Sequence, residues 1–590
     1  MTGTAHSGSR SKLPFHVRVM RRVSARSLPA PMCSVAVETG IDVPARDGVM
    51  LRTDHYIPLA GGPRPTLLVR SPYGRGFPWD YLYGAQFAGQ GFHVVIQSCR
   101  GTGGSGGAFE PCRHERDDGQ AAVAWLRAQE WFRGALGTIG PSYLGYVQWA
   151  LAADPPPELR ALVVQNGFYD LHSFLYRGGA LDLEDALTGS AAALSFERGV
   201  VGLVKAMIRL QRRHGQVERT LPLIDAYPAA FGGRVAFFEQ WLTNPDRSDP
   251  YWSGLDAGTG AENLAVPTSL VSGWYDVFLD QTLEQYERLR GGGREVRLVV
   301  GPWTHTSAFD KGWPVVFADA IGWLRKQLCD QRSGQLEQPV RVHVGGCDEW
   351  RDLPDWPPQA LIQPWYLDGD GTLGAEPPAQ ASLSSVRYDP ALPTPSVGGP
   401  VLNSRASGAR RNNALEARAD VLVFTSPPLT EALEVLGPVS ARLQVRASSP
   451  HFDVFARLCD VDPQGHSRNI CDGLVRQGPA SASGTAGSGS TITVPMSSTA
   501  YRFAAGHRLR LQISGGAHPR FARNTGTGEP PATATRLVPV DIQIIHAADR
   551  PCALSLPVAA GARPPLLSTA GGETVPGETV RRDGEVTHSA

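Results

Sequence analysis

The sequence predicts a mixed α/β unit built on a parallel sheet, followed by an all-β unit. Three observations carry this. Between about residues 41 and 169, short β-branched runs alternate with helical stretches; from about 170 to 264 the strand signal gives way to Leu-, Ala- and Arg-rich segments; after about 336, β-rich runs recur between Gly, Pro and Asp turns with no long helical pattern among them. A chain of 590 residues is also too long for one ordinary domain.

Taken in order, residues 1–36 are polar and basic and read as a mobile arm. The first part of the α/β core spans 37–169. It holds alternating apolar residues from Ile41, the turn Asp47-Gly48, a second strand over 49–56, and the nearly continuous apolar runs 66–69 and 92–96, as strands buried on both faces should be. An amphipathic helix over 118–128, a strand over 136–139, a Gly-flanked turn, a helix over 147–152 and a strand over 161–164 complete it. Residues 170–264 read as an inserted helical cap, and 201–210 is its clearest helix. The core resumes over 265–335 with a strand at 267–271, a helix at 279–289 and a strand at 296–300. Residues 336–560 read as a β-sandwich or jelly roll with short strands such as 340–344, 421–424, 452–458 and 509–513. Within it, the Gly/Ser/Ala-rich stretch 478–490 reads as a long hairpin loop, and 561–590 lacks the apolar content to fold.

Composition narrows the function classes. Lys+Arg and Asp+Glu both number 56, so no basic excess points to nucleic acid. Hydrophobic residues make up 42% and charged residues 19%, enough apolar material for sizeable cores. The eight cysteines form no Cys-x-x-Cys pair, which suits a reducing compartment. No apolar run reaches 18 residues and no apolar signal segment follows the basic N-terminus, so the expectation is a soluble cytoplasmic protein with no membrane partner. No metal and no cofactor are expected: His114-Glu115 lacks the second His of a zinc helix, and Asp368-Gly369-Asp370-Gly371 lacks the closing ligands of a calcium loop and reads as a turn.

The segment Gly140-Pro141-Ser142-Tyr143-Leu144-Gly145 lies between a predicted strand and a predicted helix. Small flanking residues permit the strained turn that lifts a serine hydroxyl out of a sheet, and the N–H groups that follow point at developing negative charge. In a chain with 66 glycines the motif alone reads equally well as a turn serine. Context decides. Serine is a poor nucleophile unless a base removes its proton and an acid holds that base in the right tautomer. In α/β-hydrolases the acid and then the histidine follow the serine, each at the C-terminal end of a strand. Asp276 follows the predicted strand ending at Val271, and His305 follows the one ending at Val300. Singly, Asp276 reads as a helix N-cap and His305 as a loop histidine; together, in this order, they read with Ser142 as a triad. An apolar acyl pocket should adjoin them. Phe174 and Phe278 are the best placed in sequence, with Trp274 and Trp303 as further candidates.

Several ordered motifs show that the chain resembles the cocaine-esterase-like (CocE/NonD) family, related to X-Pro dipeptidyl-peptidases of the S15 group and to α-amino-acid ester hydrolases. They are Arg70-Ser71-Pro72-Tyr73, the run from Arg100 to Gly107, Gly140 to Gly145, Gly273 to Asp276, Gly301 to His305, and in the β-unit Val421 to Ser426, Asp472 to Arg476 and Ala505 to Ser514. The resemblance covers about residues 38–550. It implies an α/β-hydrolase core, a helical cap inserted before the acid, a C-terminal jelly roll, and an oxyanion hole made by the Tyr73 hydroxyl and the backbone N–H of Tyr143. A phenol aimed at the tetrahedral oxygen is worth roughly 3–4 kcal/mol at the transition state; a packed core tyrosine is the other reading of Tyr73. In one departure, Ser98 stands where the family often has Asp, two residues before Arg100, which puts the anchoring of the Gly-rich loop in question.

These readings converge on acyl transfer to water, with a small-molecule ester as substrate. An X-Pro dipeptidyl-peptidase or aminoacyl amide hydrolase acting on short peptides is the alternative; it would need a group for the substrate ammonium, for which Asp182, Glu184 and Asp185 are the candidates. A non-catalytic carbohydrate-binding protein ranks third, and self-association is left open.

Overall fold

The computed structural model of the protein describes residues 11–195, 199–258, 261–329, 338–478 and 489–559. Its first strands are β1 (Ser11–Lys12), β2 (Ser34–Pro44), β3 (Met50–Leu59), β4 (Thr66–Ser71), β5 (His93–Ser98), β6 (Leu136–Ser142) and β7 (Leu159–Gly167). The chain then leaves for a small hairpin, β8 (Tyr176–Arg177) and β9 (Ala180–Leu181). It returns with β10 (Thr268–Tyr275), β11 (Val296–Thr304), β12 (Val340–Val344) and β13 (Glu349–Leu353). Apart from the hairpin these make one eleven-stranded sheet in the order β1-β2-β3-β5-β4-β6-β7-β10-β11-β12-β13. Every pair from β5 to β12 is parallel. Every residue of β4 and β5 is buried, as a sheet covered on both faces requires.

Helices Glu115–Arg127, Tyr143–Ala152, Leu279–Gly291 and Trp313–Leu328 cover the sheet. Glu115, Asp117 and Asp118 in the first turn of Glu115–Arg127, and Arg127 in its last, complement the helix dipole. Between β7 and β10 the chain forms the cap, including helices Leu183–Ala193, Gly199–Arg219 and Ala236–Thr243.

Two sequence expectations are corrected here. The basic arm is built into the fold: β1 pairs with β2, and the helix Phe15–Ser24 buries Val17. Leu13, Val17 and Leu28 join the core beneath the sheet, an apolar spacing that the surrounding arginines mask. Residues 340–353, expected in the β-sandwich, instead extend the large sheet, because β12 pairs parallel to β11 and β13 folds back on β12. The expected Gly/Ser loop falls mostly outside the described residues, and the expected tail lies outside them entirely.

The second unit has β14 (Ala360–Leu367), β15 (Leu373–Gly374), β16 (Ser382–Tyr388), β17 (Val421–Thr425), β18 (Leu433–Ala447), β19 (Phe452–Val461), β20 (Ser467–Gln477), β21 (Ser490–Phe503), β22 (Arg508–Ser514), β23 (Val540–His546) and β24 (Ala553–Ala559). They form a seven-stranded and a four-stranded sheet that pack face to face around one apolar core containing Trp365, Phe424 and Phe503. The cap docks on this sandwich through its hairpin. Arg476 N donates to Gly178 O at 2.7 Å, and Ala522 N to Leu181 O at 2.8 Å. A Cβ at Gly178 would stand 1.8 Å from the carbonyl oxygen of Leu474, so only glycine allows this approach.

Inside the sandwich, Asp472 accepts from Arg457 at 2.8 Å and Arg520 at 2.5 Å, with all three side chains withdrawn from solvent. Burial alone would raise the Asp472 carboxyl, but the two guanidiniums prevail and hold it below its ordinary value. Removing the carboxylate leaves two buried cations facing each other. Asp472→Asn should therefore lower unfolding stability by about 3–5 kcal/mol, read as a drop in the denaturant midpoint; a change below about 1 kcal/mol would show the network to be solvated.

Candidate active site

Ser142 ends β6 and precedes the helix Tyr143–Ala152, with φ 57° and ψ −125°. A non-glycine residue with positive φ is strained, and here the strain turns the side chain out of the sheet edge. The turn is tight because the helix lies hard against β7: a Cβ on Gly145 would stand 2.8 Å from the Cα of Gly167. The amide of Tyr143 opens the helix, whose first N–H groups have no partners within it.

Asp276 and His305 meet through strand register. β10 and β11 pair in step up to Gly273 with Gly301, then a bulge on β11 brings Tyr275 opposite Thr304. Asp276 and His305 are the first residues past the ends of the two strands. His305 Nδ1 donates to Asp276 Oδ1 at 2.7 Å, and Ser272 Oγ donates to the other carboxylate oxygen at 2.8 Å. With both oxygens occupied, Asp276 is no helix cap; the residue at the N-cap of the following helix is Phe278. Asn166, a buried residue at φ 44° near the end of β7, donates from Nδ2 to the His305 carbonyl at 3.0 Å. His305 also meets the edge of Phe278, with ring centroids 5.3 Å apart.

Tyr73 follows β4, and its hydroxyl lies 3.3 Å from Ser142 Oγ. Burial pushes its phenol up to about 12, against the hydrogen bonds from Ser142 and the Tyr143 amide that favour the phenolate. The group therefore stays a donor at neutral pH. The side chain of Tyr143 is engaged elsewhere: its hydroxyl donates to Glu115 at 2.8 Å and accepts from Cys112 N at 2.7 Å. Glu115 is in turn paired with buried Arg70 at 3.0 Å. A chain of charged and polar groups thus joins β4, the covering helix and the turn after Ser142. The Gly-rich loop is tied down without the absent aspartate, since Arg75 donates to Ser98 Oγ and Gly103 O, each at 2.7 Å, and meets Asp54 at 3.1 Å.

Ser142, Tyr73 and His305 line one cavity of about 340 Å³ under the cap. Of the aromatic residues expected there, Phe174 and Phe278 line it, in contact with Phe168 at 5.9 and 5.0 Å between ring centroids. Trp274 and Trp303 do not. Trp274 packs on Trp356 and donates to His343 O at 2.6 Å, and Trp303 packs on Trp350 in the core, because their positions on β10 and β11 direct them away from the cavity. The sequence reading missed Trp79, Phe109, Phe168, Phe237, Trp241 and Phe309, all on the wall. The i, i+4 spacing of Phe237 and Trp241 marks one face of a cap helix and was the available signal. Of the cap carboxylates among the described residues, only Asp185 reaches the wall. Arg177 spans it and Asp182 at 3.2 and 3.3 Å, and the amide of Leu402 donates to it at 2.7 Å. Burial first, and Asp182 next, push the Asp185 carboxyl well above the usual range. No group of three or more His, Cys, Asp or Glu side chains is arranged to hold a metal among the described residues.

Residues 47–307 match the family model of X-Pro dipeptidyl-peptidase (S15 family), and residues 332–552 match that of the X-Pro dipeptidyl-peptidase C-terminal non-catalytic domain. The chain is 32% identical to a cocaine esterase from Rhodococcus sp. over 84% of its own length and 93% of the relative's. Among solved structures it is similar to a selenomethionine-labelled α-amino acid ester hydrolase (TM-score 0.75, 21% identity, 90% and 98% of the two chains). It is also similar to a CocE/NonD family hydrolase from Staphylococcus aureus (TM-score 0.64, 16% identity, 89% and 94%); at these identities the likeness is one of fold.

The contact at Gly145 gives a test of the turn. Gly145→Ala should force the helix off β7, cost about 1–3 kcal/mol of stability and slow fluorophosphonate labelling of Ser142. Gly322→Ala, in a helix with nothing within 4 Å of the added Cβ, serves as the control and should be neutral or slightly stabilising. Equal behaviour of the two variants would show that the Gly145–Gly167 approach does not set the position of Ser142.

Proposed function

The chain belongs to the CocE/NonD family of serine hydrolases, and from that premise we propose that Ser142, His305 and Asp276 hydrolyse a carboxylic ester through an acyl-enzyme. Ser142 Oγ attacks the ester carbonyl while His305 takes its proton. Asp276 holds the Nδ1 tautomer and stabilises the imidazolium, and His305 then protonates the leaving alcohol. Water, activated by the same histidine, releases the acid. The Tyr73 hydroxyl and the Tyr143 amide stabilise the tetrahedral oxyanion. The observation that carries this reading is the 2.7 Å His305–Asp276 bond facing the same apolar cavity as Ser142, with the Tyr73 hydroxyl 3.3 Å from Ser142 Oγ.

The substrate class follows from the wall. Phe168, Phe174, Phe237 and Phe278 favour a hydrophobic acyl group, and the small residues Ala186, Gly189 and Ala192 leave it room on the cap side. In this division of labour residues 37–169 and 265–335 supply the chemistry and the cap at 170–264 the selectivity. A dipeptidyl-peptidase would place the substrate ammonium near Asp185, the cap carboxylate that reaches the wall among the described residues. Arg177 and the Leu402 amide already occupy that carboxylate, which favours the ester.

Ser142→Ala should abolish hydrolysis of p-nitrophenyl esters, and the wild type should leave an X-Pro-nitroanilide uncleaved. Efficient anilide cleavage that requires a free amine would reverse the assignment, and failure on both substrates would remove it. Tyr73→Phe should lower kcat by about 10²–10³ with little change in KM. Because the raised Tyr73 pKa keeps the donor present until pH approaches about 12, the ratio of wild-type to Tyr73→Phe rates should stay constant from about pH 6 to about pH 9. A ratio that falls across that range would mean the phenol ionises there.

A further inference from the structure

The N-terminal helix presents a surface that the hydrolytic site does not use. Leu13, Val17 and Leu28 anchor the segment in the core, and His16 bonds Asp80 at 2.6 Å. The opposite face of the helix carries Phe15, Val19 and Val23, spaced four residues apart and 75%, 40% and 72% exposed. Exposed Arg18 and Arg22 repeat the same spacing alongside, exposed Arg26 follows in the turn just past the end of the helix, and the Arg18 guanidinium lies 5.8 Å from the centre of the Phe15 ring. Large apolar side chains in such an array are costly in water unless something covers them.

The charge pattern says what covers them. The first acidic residue of the chain is Glu38, and the 37 residues before it hold six Lys or Arg. The rest of the chain therefore carries an acidic excess, since the totals balance at 56 each. We infer that the face formed by Phe15, Val19, Val23, Arg18, Arg22 and Arg26 docks the protein on an anionic lipid surface. A lipid leaflet supplies both partners this face requires: phosphate oxygens for the arginines, and acyl chains for the apolar column beside them. A nucleic acid would satisfy the arginines but leave Phe15 and Val23 in water.

A ten-residue helix is too short to be stable alone. Its buried side holds this one in shape, so no ordering cost opposes docking. The absence of a membrane-crossing helix among the described residues does not bear on a helix that lies in the plane of the interface. The face also neighbours the cavity. Phe77, 46% exposed, meets His16 edge-on at 6.3 Å between ring centroids, and Pro78, Trp79 and Leu82 on the same segment line the cavity wall. Docking would set that wall close to the lipid.

The test is co-sedimentation of the full chain with phosphatidylcholine vesicles, with and without phosphatidylglycerol. Binding is expected only to the anionic vesicles, and it should weaken by about tenfold or more as NaCl rises from about 0.05 to about 0.5 M. The triple variants Arg18→Gln/Arg22→Gln/Arg26→Gln and Phe15→Ser/Val19→Ser/Val23→Ser should each reduce partitioning by about tenfold or more. Their thermal midpoints and turnover of a short p-nitrophenyl ester should match the wild type. No binding to anionic vesicles, equal binding to neutral ones, or binding unchanged in both triples overturns the inference. So does a dimer in sedimentation velocity that the Phe15/Val19/Val23 triple dissolves, which would make a second copy the occupant. None of these readouts depends on the identity of the catalytic residues.

Discussion

The arrangement depends most on the register between β10 and β11. Parallel strands of equal length would bring Asp276 opposite the residue before His305; the extra residue of the bulge between Gly301 and Thr304 corrects the offset. Two side chains from loops 29 residues apart are then delivered side by side at the same sheet edge. Each is held from behind, Asp276 by Ser272 and the His305 loop by Asn166 at its carbonyl. The imidazole is thus oriented by backbone pairing that spans the sheet, and packing of the cap is not needed for it.

The cavity has a different origin. Its floor belongs to the strand ends of the sheet, its aromatic sides to the cap and to the loops that follow the strands, and one wall residue, Leu402, to the connection between β16 and β17 of the sandwich. Cap and sandwich are joined by backbone hydrogen bonds at the Gly178 hairpin and by the Leu402 amide on Asp185. The buried Arg457–Asp472–Arg520 set lies just behind: the Arg520 carbonyl accepts from the Glu184 amide at 3.4 Å. Burying such charges gives weak net stability but a strong penalty for misalignment, which suits an interface that seats the cap in one position.

Much of this was legible in the chain, and the boundary of legibility is physical. Positions at strand ends can be read because apolar runs buried on both faces are distinctive, and Ser142, Asp276 and His305 were placed that way. Contacts across the sheet cannot be read without register. That is why Trp274 and Trp303, adjacent in sequence to the site, face other cores, while Phe168, Phe237 and Phe309 reach the cavity from segments that carry no motif. The strands at 340–353 were assigned to the wrong unit because a short β-rich run carries no label for the sheet it joins. The N-terminal helix was hidden by its arginines: overall polarity suggested an arm, although Leu13 and Val17 already had the spacing of a buried face.

Leu402 on the cavity wall has a consequence in time. In a chain emerging from the ribosome Ser142 comes first and His305 later, yet the cavity they face lacks one wall residue until the connection around 402 has been made. Ser142, Asp276 and His305 therefore precede in the chain the last residue of the wall around them. A nascent or proteolytically shortened chain that stops before 402 would hold these three residues beside a cavity missing part of its wall, so the second unit completes a compartment whose other residues all lie in the first 310.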